Sequence, residues 1–333
     1  MRKLPILSLL AILLLLAGCT PSPPAYAPPE SRTLTVFTSH KEELYRPIIR
    51  EFEERTGIWV EVVTGGTAEL LERIAAGETP DVMFGGGAES LEAYRDWFTP
   101  YVSAQAGQFQ SQFQGGDGSW TPFSALPVVL IYNPKLVSSY SLTGWADLTR
   151  PEFRGKIAFA DPGVSGSSFT SLVTWLYARG GDSRKALEEL AQCLDGRLLA
   201  SSGDVLTAVS NGEYLVGITL EETALTRIRS GDDIALVYPA DGTSCVADGC
   251  ALVKRAPHPE SARLFLDFTV SAAVQEMLAS QFYRRPVRSD VSAPEGLPPL
   301  SRLRIVDYDV GYACENRDGI LSEWQFLTGE DAP

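Results

Sequence analysis

"TLTVFTSHKEELYRPIIREFEERTGIWVEVVTGGT", residues 33–67, decides the fold. It opens on an apolar, β-branched run that reads as a strand ending in Thr38, Ser39 and His40. Leu44, Ile48, Ile49 and Phe52 then recur at helical spacing, and Gly57 is a stop signal. Pro47 lies inside this pattern, so the first turn is kinked or separate. "IWVEVV" (58–63) is a second strand and "TGGT" (64–67) the loop after it.

The same alternation continues outward. "AELLERIAAGE" (68–78) places Leu70, Leu71 and Ile74 on one helical face. "DVMF" (81–84) is a third strand, ending in Gly85-Gly86-Gly87, and "AESLEAYRDWF" (88–98) a further helix. Strands alternating with helices predict a parallel α/β sheet. Ligands of such sheets bind outside the carboxyl ends of the strands. The loops at those ends hold Thr38, Ser39, His40, Gly66, Thr67 and Gly86. Any one of these loops alone is a tight turn. Three at equivalent positions point to a site.

"FSALPVVLIYNPKLV" (123–137) is a long apolar strand that reads as a crossover into a second lobe. There, "ADPGVSGSSFTSL" (160–172) crowds serines around two glycines. A nucleophile elbow needs Gly-x-Ser-x-Gly, and the last glycine is missing here. A serine triad also needs a histidine base. The chain has only His40 and His258, and His258 sits between prolines in a turn. An anion cradle fits better. A short strand from Ile157 to Ala160 precedes the loop, and a helix from Ser168 follows it. Ser165, Gly166, Ser167 and Ser168 then stand at a helix N-terminus, where free N–H groups favour negative charge. The alternative is that one serine merely caps the helix. Ser202 precedes another helix in the same lobe.

Residues 1–20, "MRKLPILSLLAILLLLAGCT", have a basic start, a continuous apolar run and a Leu-Ala-Gly-Cys end. This is a secretory signal, too short to be a membrane span of ~20 residues. Its last residues resemble a bacterial lipobox, which makes Cys19 the lipidated mature N-terminus. The Pro-rich stretch after it reads as an extended tether. The net charge of −14 argues against nucleic acid as a partner. It does not forbid a small anion, because a local nest of N–H groups can dominate. Beyond Cys19 there are four cysteines, and an even count in an exported chain suggests disulfides. "CVADGC" looks like a hairpin pairing Cys245 with Cys250, which leaves Cys193 with Cys314. No dinucleotide fingerprint, P-loop, HExxH or CxxC occurs, so no cofactor or metal site is expected.

The segments "LTVFTSHKEELYRPIIREFEERTGIWVEVV", "TPDVMFGGG", "LIYNPKLV", "ADPGVSGSSFTSL", "GEYLVGITLEETAL" and "ALVKRAPHPESARLFLDFTVSAAVQEMLASQFYRRPVR" resemble, in this order, the extracellular solute-binding proteins of bacterial ABC importers. The group includes ferric-iron, phosphonate and sugar-phosphate binders. The resemblance implies a two-lobed periplasmic-binding-protein fold of type II. Each lobe would be a mostly parallel sheet flanked by helices, with the ligand in the cleft between. It implies no enzyme activity, a small-molecule solute, a membrane permease as partner, and a monomer. Iron binders of the family carry adjacent tyrosines shortly after the strand that matches "EYLVGI"; this chain has "TLEETAL" there. A ferric receptor using carboxylates is therefore the alternative to an organic-anion receptor. Glu221, Glu222 or Asp241 would hold hydroxyl or amine groups of the solute.

The expected organisation is a signal peptide over 1–18, a lipid-anchored tether over 19–31, lobe one over 32–127 and lobe two over 128–239. Residues 240–287 would return to lobe one, and 288–333 would pack on lobe two.

Overall fold

Alternating burial makes a strand of Thr33–Thr38 (β1), whose Leu34 and Val36 are fully buried. The computed structural model describes residues 29–114, 116–138 and 142–329. The segment expected to be a signal peptide and Cys19 lie outside the described residues. After β1 come α1 (Glu42–Thr56), β2 (Trp59–Thr64), α2 (Thr67–Ala75), β3 (Val82–Gly87) and α3 (Ala88–Ala93). Pro47 sits inside α1 without ending it, and Gly57 closes the helix in the left-handed region. β1 pairs in parallel with β2 on one side and β3 on the other.

β4 (Thr121–Tyr132) follows, then β5 (Ile157–Ala158), α4 (Gly166–Arg179), α5 (Ser183–Leu194), α6 (Ser202–Ser210), β6 (Val216–Leu220), α7 (Glu221–Arg229) and β7 (Ala235–Val237). The chain ends with β8 (Cys245–Leu252), α8 (Pro259–Thr269), α9 (Ala272–Gln281), β9 (Arg285–Pro286), α10 (Val310–Glu315) and α11 (Arg317–Thr328). The strands run in the order β2-β1-β3-β8-β4-β6-β5, with β7 and β9 also pairing to β4.

β4 is shared by both lobes. Its residues Thr121 to Pro127 pair with β8, whereas Val128 to Tyr132 pair with β6 and β7. Separate cores lie to either side. One packs Leu34, Val36, Ile48, Phe52 and Phe84 against Phe265 and Leu278 of α8 and α9. Another packs Trp145, Phe159, Trp175 and Leu190 against Trp324 of α11. Each such side chain, fully buried, contributes roughly 2–3 kcal/mol.

The hairpin expected at "CVADGC" is absent. β8 runs straight through it, paired with β3 and β4, so Cys245 and Cys250 lie on one strand. At about 3.3 Å per residue they are too far apart to bridge. Gly249 serves packing rather than a turn: a Cβ there would stand 2.7 Å from the Trp120 ring and 2.8 Å from Thr121 O. The pairing of Cys193 with Cys314 does not form either, and all four cysteines are free thiols.

Candidate functional site

The carboxyl ends of β1, β2 and β3 meet. Gly85 and Gly86 have φ of 110° and 104°, a region open to glycine. A Cβ on Gly85 would stand 2.7 Å from Ser39 Oγ, and one on Gly86 3.0 Å from Thr67 Cγ2. The sequence-derived loops therefore touch one another through their glycines. Thr38 is fully buried, and its Oγ1 accepts from the His40 N–H at 3.2 Å. The Gly66 N–H donates to Glu69 Oε2 at 3.4 Å.

α4 supplies the facing wall. Ser165 caps it, its Oγ accepting from Ser168 N at 3.3 Å. The hydroxyl oxygens of Ser167 and Ser168 both lie 3.1 Å from Ser165 Oγ. Among the described residues no acceptor meets the N–H of Gly166 or Ser167, as is usual in a first helical turn. One turn on, Thr170 Oγ1 donates to Glu89 Oε1 at 2.8 Å. Glu89 follows Gly87 at the start of α3, so this bond ties the first turns of α4 to the β3 loop. Tyr308, from the C-terminal segment, donates to the same Glu89 oxygen at 2.5 Å.

The floor is a chain of charged groups. Asp248, on β8, accepts at Oδ1 from Ser124 N (2.8 Å) and Ser124 Oγ (2.7 Å). Its Oδ2 accepts from Arg284 Nη1 at 2.5 Å. Arg284 Nη2 reaches Glu222 Oε1 at 3.4 Å, at the start of α7. His40 packs between Phe84 and Phe123, with Nε2 3.8 Å from Asp248 Oδ2. That nitrogen is buried with no hydrogen-bond partner. Burial pushes the imidazole pKa down to about 4, so the ring is neutral near pH 7.

Two expected ligand residues are engaged elsewhere. Glu221 is buried, and Arg285 donates to both its oxygens at 2.7 and 2.8 Å. Asp241 accepts from Trp145 N and Ala146 N, each at 2.9 Å, and so caps the helical turn over Trp145–Thr149. Ser202 lies in the first turn of α6, next to the cap Ser201. Asp248, Ser124, Arg284 and Glu89 were not singled out from the sequence. The available signal was an acid inside the otherwise apolar β8. A cavity of about 550 Å³ adjoins Glu89, lined by Ala88, Glu92, Trp120, Cys245, Ala247 and Tyr308 among others. Among the described residues no three His, Cys, Asp or Glu side chains cluster to hold a metal ion.

Two lobes that share a strand, with loops and helix starts facing one another, suit capture of a small molecule between them. The sequence profile of the bacterial extracellular solute-binding proteins matches residues 34–284. The chain belongs to this family. This solute-binding protein is 26% identical over 303 residues to iron uptake protein A1 of Synechocystis, covering 83% of this chain and 82% of that one. It is 23% identical over 250 residues to a putative 2-aminoethylphosphonate-binding periplasmic protein of Salmonella typhi, covering 72% and 73%. Its fold matches the periplasmic binding protein AfuA of Actinobacillus pleuropneumoniae, solved with fructose 6-phosphate, at a TM-score of 0.78 and 21% identity, covering 89% and 98%.

Proposed function

We propose that this solute-binding protein captures a small organic anion and hands it to an ABC permease, anchored outside the membrane through lipidated Cys19. The lobes are read as 32–127 with 240–287, and 128–239 with the C-terminal segment. The observation that carries the anion is the first turns of α4, held against the β3 loop by Thr170 and Glu89. On this reading the backbone N–H groups of Gly166 and Ser167, with the Ser167 hydroxyl, would meet the solute from one side and Ser39 from the other. Neutral donors of this kind bind a phosphate, phosphonate or carboxylate and release it when the lobes part. The phosphonate named for the Salmonella relative is of this class.

A second reading is ferric iron, favoured by the name of the Synechocystis relative. A hard cation needs several anionic oxygens. Glu222 is the member of the expected carboxylate pair left without a bidentate arginine partner.

Native mass spectrometry of protein purified without refolding, with elemental analysis of the same sample, tests both. A co-purified organic oxyanion supports the first reading. Stoichiometric iron overturns it in favour of the second.

A further inference from the structure

The Arg284–Glu222 contact is the weakest link in the floor of the cleft. Arg284 Nη1 is fixed, donating to Asp248 Oδ2 at 2.5 Å and Ser124 Oγ at 2.8 Å. Asp248 is itself anchored to β4 through Ser124 N. One edge of the guanidinium is thus held rigidly by the two central strands. Among the described residues, the other edge, Nη2 and Nε, has only the 3.4 Å contact to Glu222 Oε1. Glu222 meanwhile shares that oxygen with Thr223 Oγ1 at 3.0 Å. A guanidinium offers five donors in a planar fork that matches an oxyanion in a bidentate way. Its side chain is 12% exposed and that of Glu222 is 22% exposed, so each can meet a solute without unfolding.

Charge adds a second constraint. Asp248 and Glu222 carry two negative charges against the one positive charge of Arg284. His40 adds none. A bare anion placed on Arg284 would leave Glu222 unpaired in a poorly solvated cleft, which is costly. A solute that brings its own ammonium group repairs that loss.

We propose that the Arg284–Glu222 pair opens to take a zwitterion, with the oxyanion on Arg284 and the ammonium on Glu222. This rests on the reading that the cleft holds an oxyanion, and it narrows the solute to amino-phosphonates, amino-phosphates or amino acids. Arg284 then sets specificity for the anion, and Glu222 sets it for the amine.

Calorimetry with matched probes tests this. The pairs are 2-aminoethylphosphonate with ethylphosphonate, phosphoethanolamine with ethyl phosphate, and β-alanine with propionate. The protein should bind at least one amine-bearing member about tenfold or more tighter than its partner. Glu222→Gln should erase that gap. Arg284→Lys keeps a charge beside Asp248, so it should fold, but it loses the fork and should weaken binding by roughly tenfold. Thermal melts of each variant check the fold. Equal binding of both members of each pair, or an undiminished Arg284→Lys, overturns the inference. If such protein still loses affinity on Ser165→Ala with Ser167→Ala, the anion reading stands without it. Binding of no probe overturns the inference, and the solute found by native mass spectrometry then decides the anion reading.

Discussion

Glu221 and Arg285 form a fully buried bidentate pair that fastens α7 to β9, each side chain only 1% exposed. Tyr238 donates a further hydrogen bond to Glu221, and Arg285 also donates to Pro298 O at 2.8 Å. Neighbouring arginines thus go to different tasks: Arg284 faces Asp248, and Arg285 locks the two lobes at their shared strand. Removing one partner leaves the other as an uncompensated buried charge. Arg285→Met should therefore cost about 3–5 kcal/mol of stability. A denaturant midpoint unchanged from the parent would show that the pair is not structural.

The first lobe's helices and strands were legible because their signals are local. Leu44, Ile48, Ile49 and Phe52 repeat at helical spacing and all are buried in α1. β8 was misread for the opposite reason. Asp-Gly is a local turn signal, but here Asp248 is satisfied by Ser124, 124 residues away, and Gly249 makes room for Trp120. No pattern within the strand records either partner. The same holds for Glu89 and Tyr308, which lie 219 residues apart. Loops at strand ends can be placed from topology alone, whereas the charged floor depends on which distant side chains the fold brings together.

Acid should destabilise the protein through His40. Its folded-state pKa, about 4, lies below the ordinary value of 6.5 because burial disfavours the charged ring. The unfolded chain therefore binds more protons between those values, and stability falls as pH drops from 6.5 toward 4. At 1.36 kcal/mol per unit, the loss is about 3 kcal/mol. Denaturant titrations at pH 7 and 4.5 check it. His40→Gln, which does not titrate, should show a visibly shallower loss over the same range.

The free thiols give a chemical test of the strand assignment. Burial pushes the Cys245 thiol up to about 12 and raises Cys250 still further, so neither is a ready nucleophile. In native protein, alkylation should miss both. In denaturant without reductant, both should react fully. Cys245 and Cys250 fall in one tryptic peptide, and a disulfide within that peptide in unreduced protein would contradict the continuous β8.

Asp241 should matter to stability and not to the solute. Its carboxylate caps the helical turn over Trp145–Thr149, and Asp241→Ala should cost about 1 kcal/mol. The melting temperature should fall while the dissociation constant for the bound solute stays within a factor of two or so, as expected for a cap remote from the ligand. A tenfold loss of affinity in the folded variant would return Asp241 to the site.

Glu89 joins the first turns of α4, the β3 loop and the C-terminal segment through a single oxygen that accepts from Thr170 and Tyr308. Glu89 as a whole is only 7% exposed, and its carboxylate is met by these protein groups. Thr170→Val keeps the shape of the side chain and deletes the donor between α4 and α3. A hydrogen bond to a charged group is worth about 1.5–3 kcal/mol, and Tyr308 remains to hold the carboxylate. The fold should survive, whereas the closed arrangement should lose about that much relative to the open one. Solute should then dissociate roughly ten times faster, with the association rate little changed, because the loss falls on the closed state. Stopped-flow measurement of both rates, alongside small-angle scattering of the solute-free protein, checks this. Unchanged dissociation in Thr170→Val would mean that the Glu89 contact only braces α4 and takes no part in holding the lobes together.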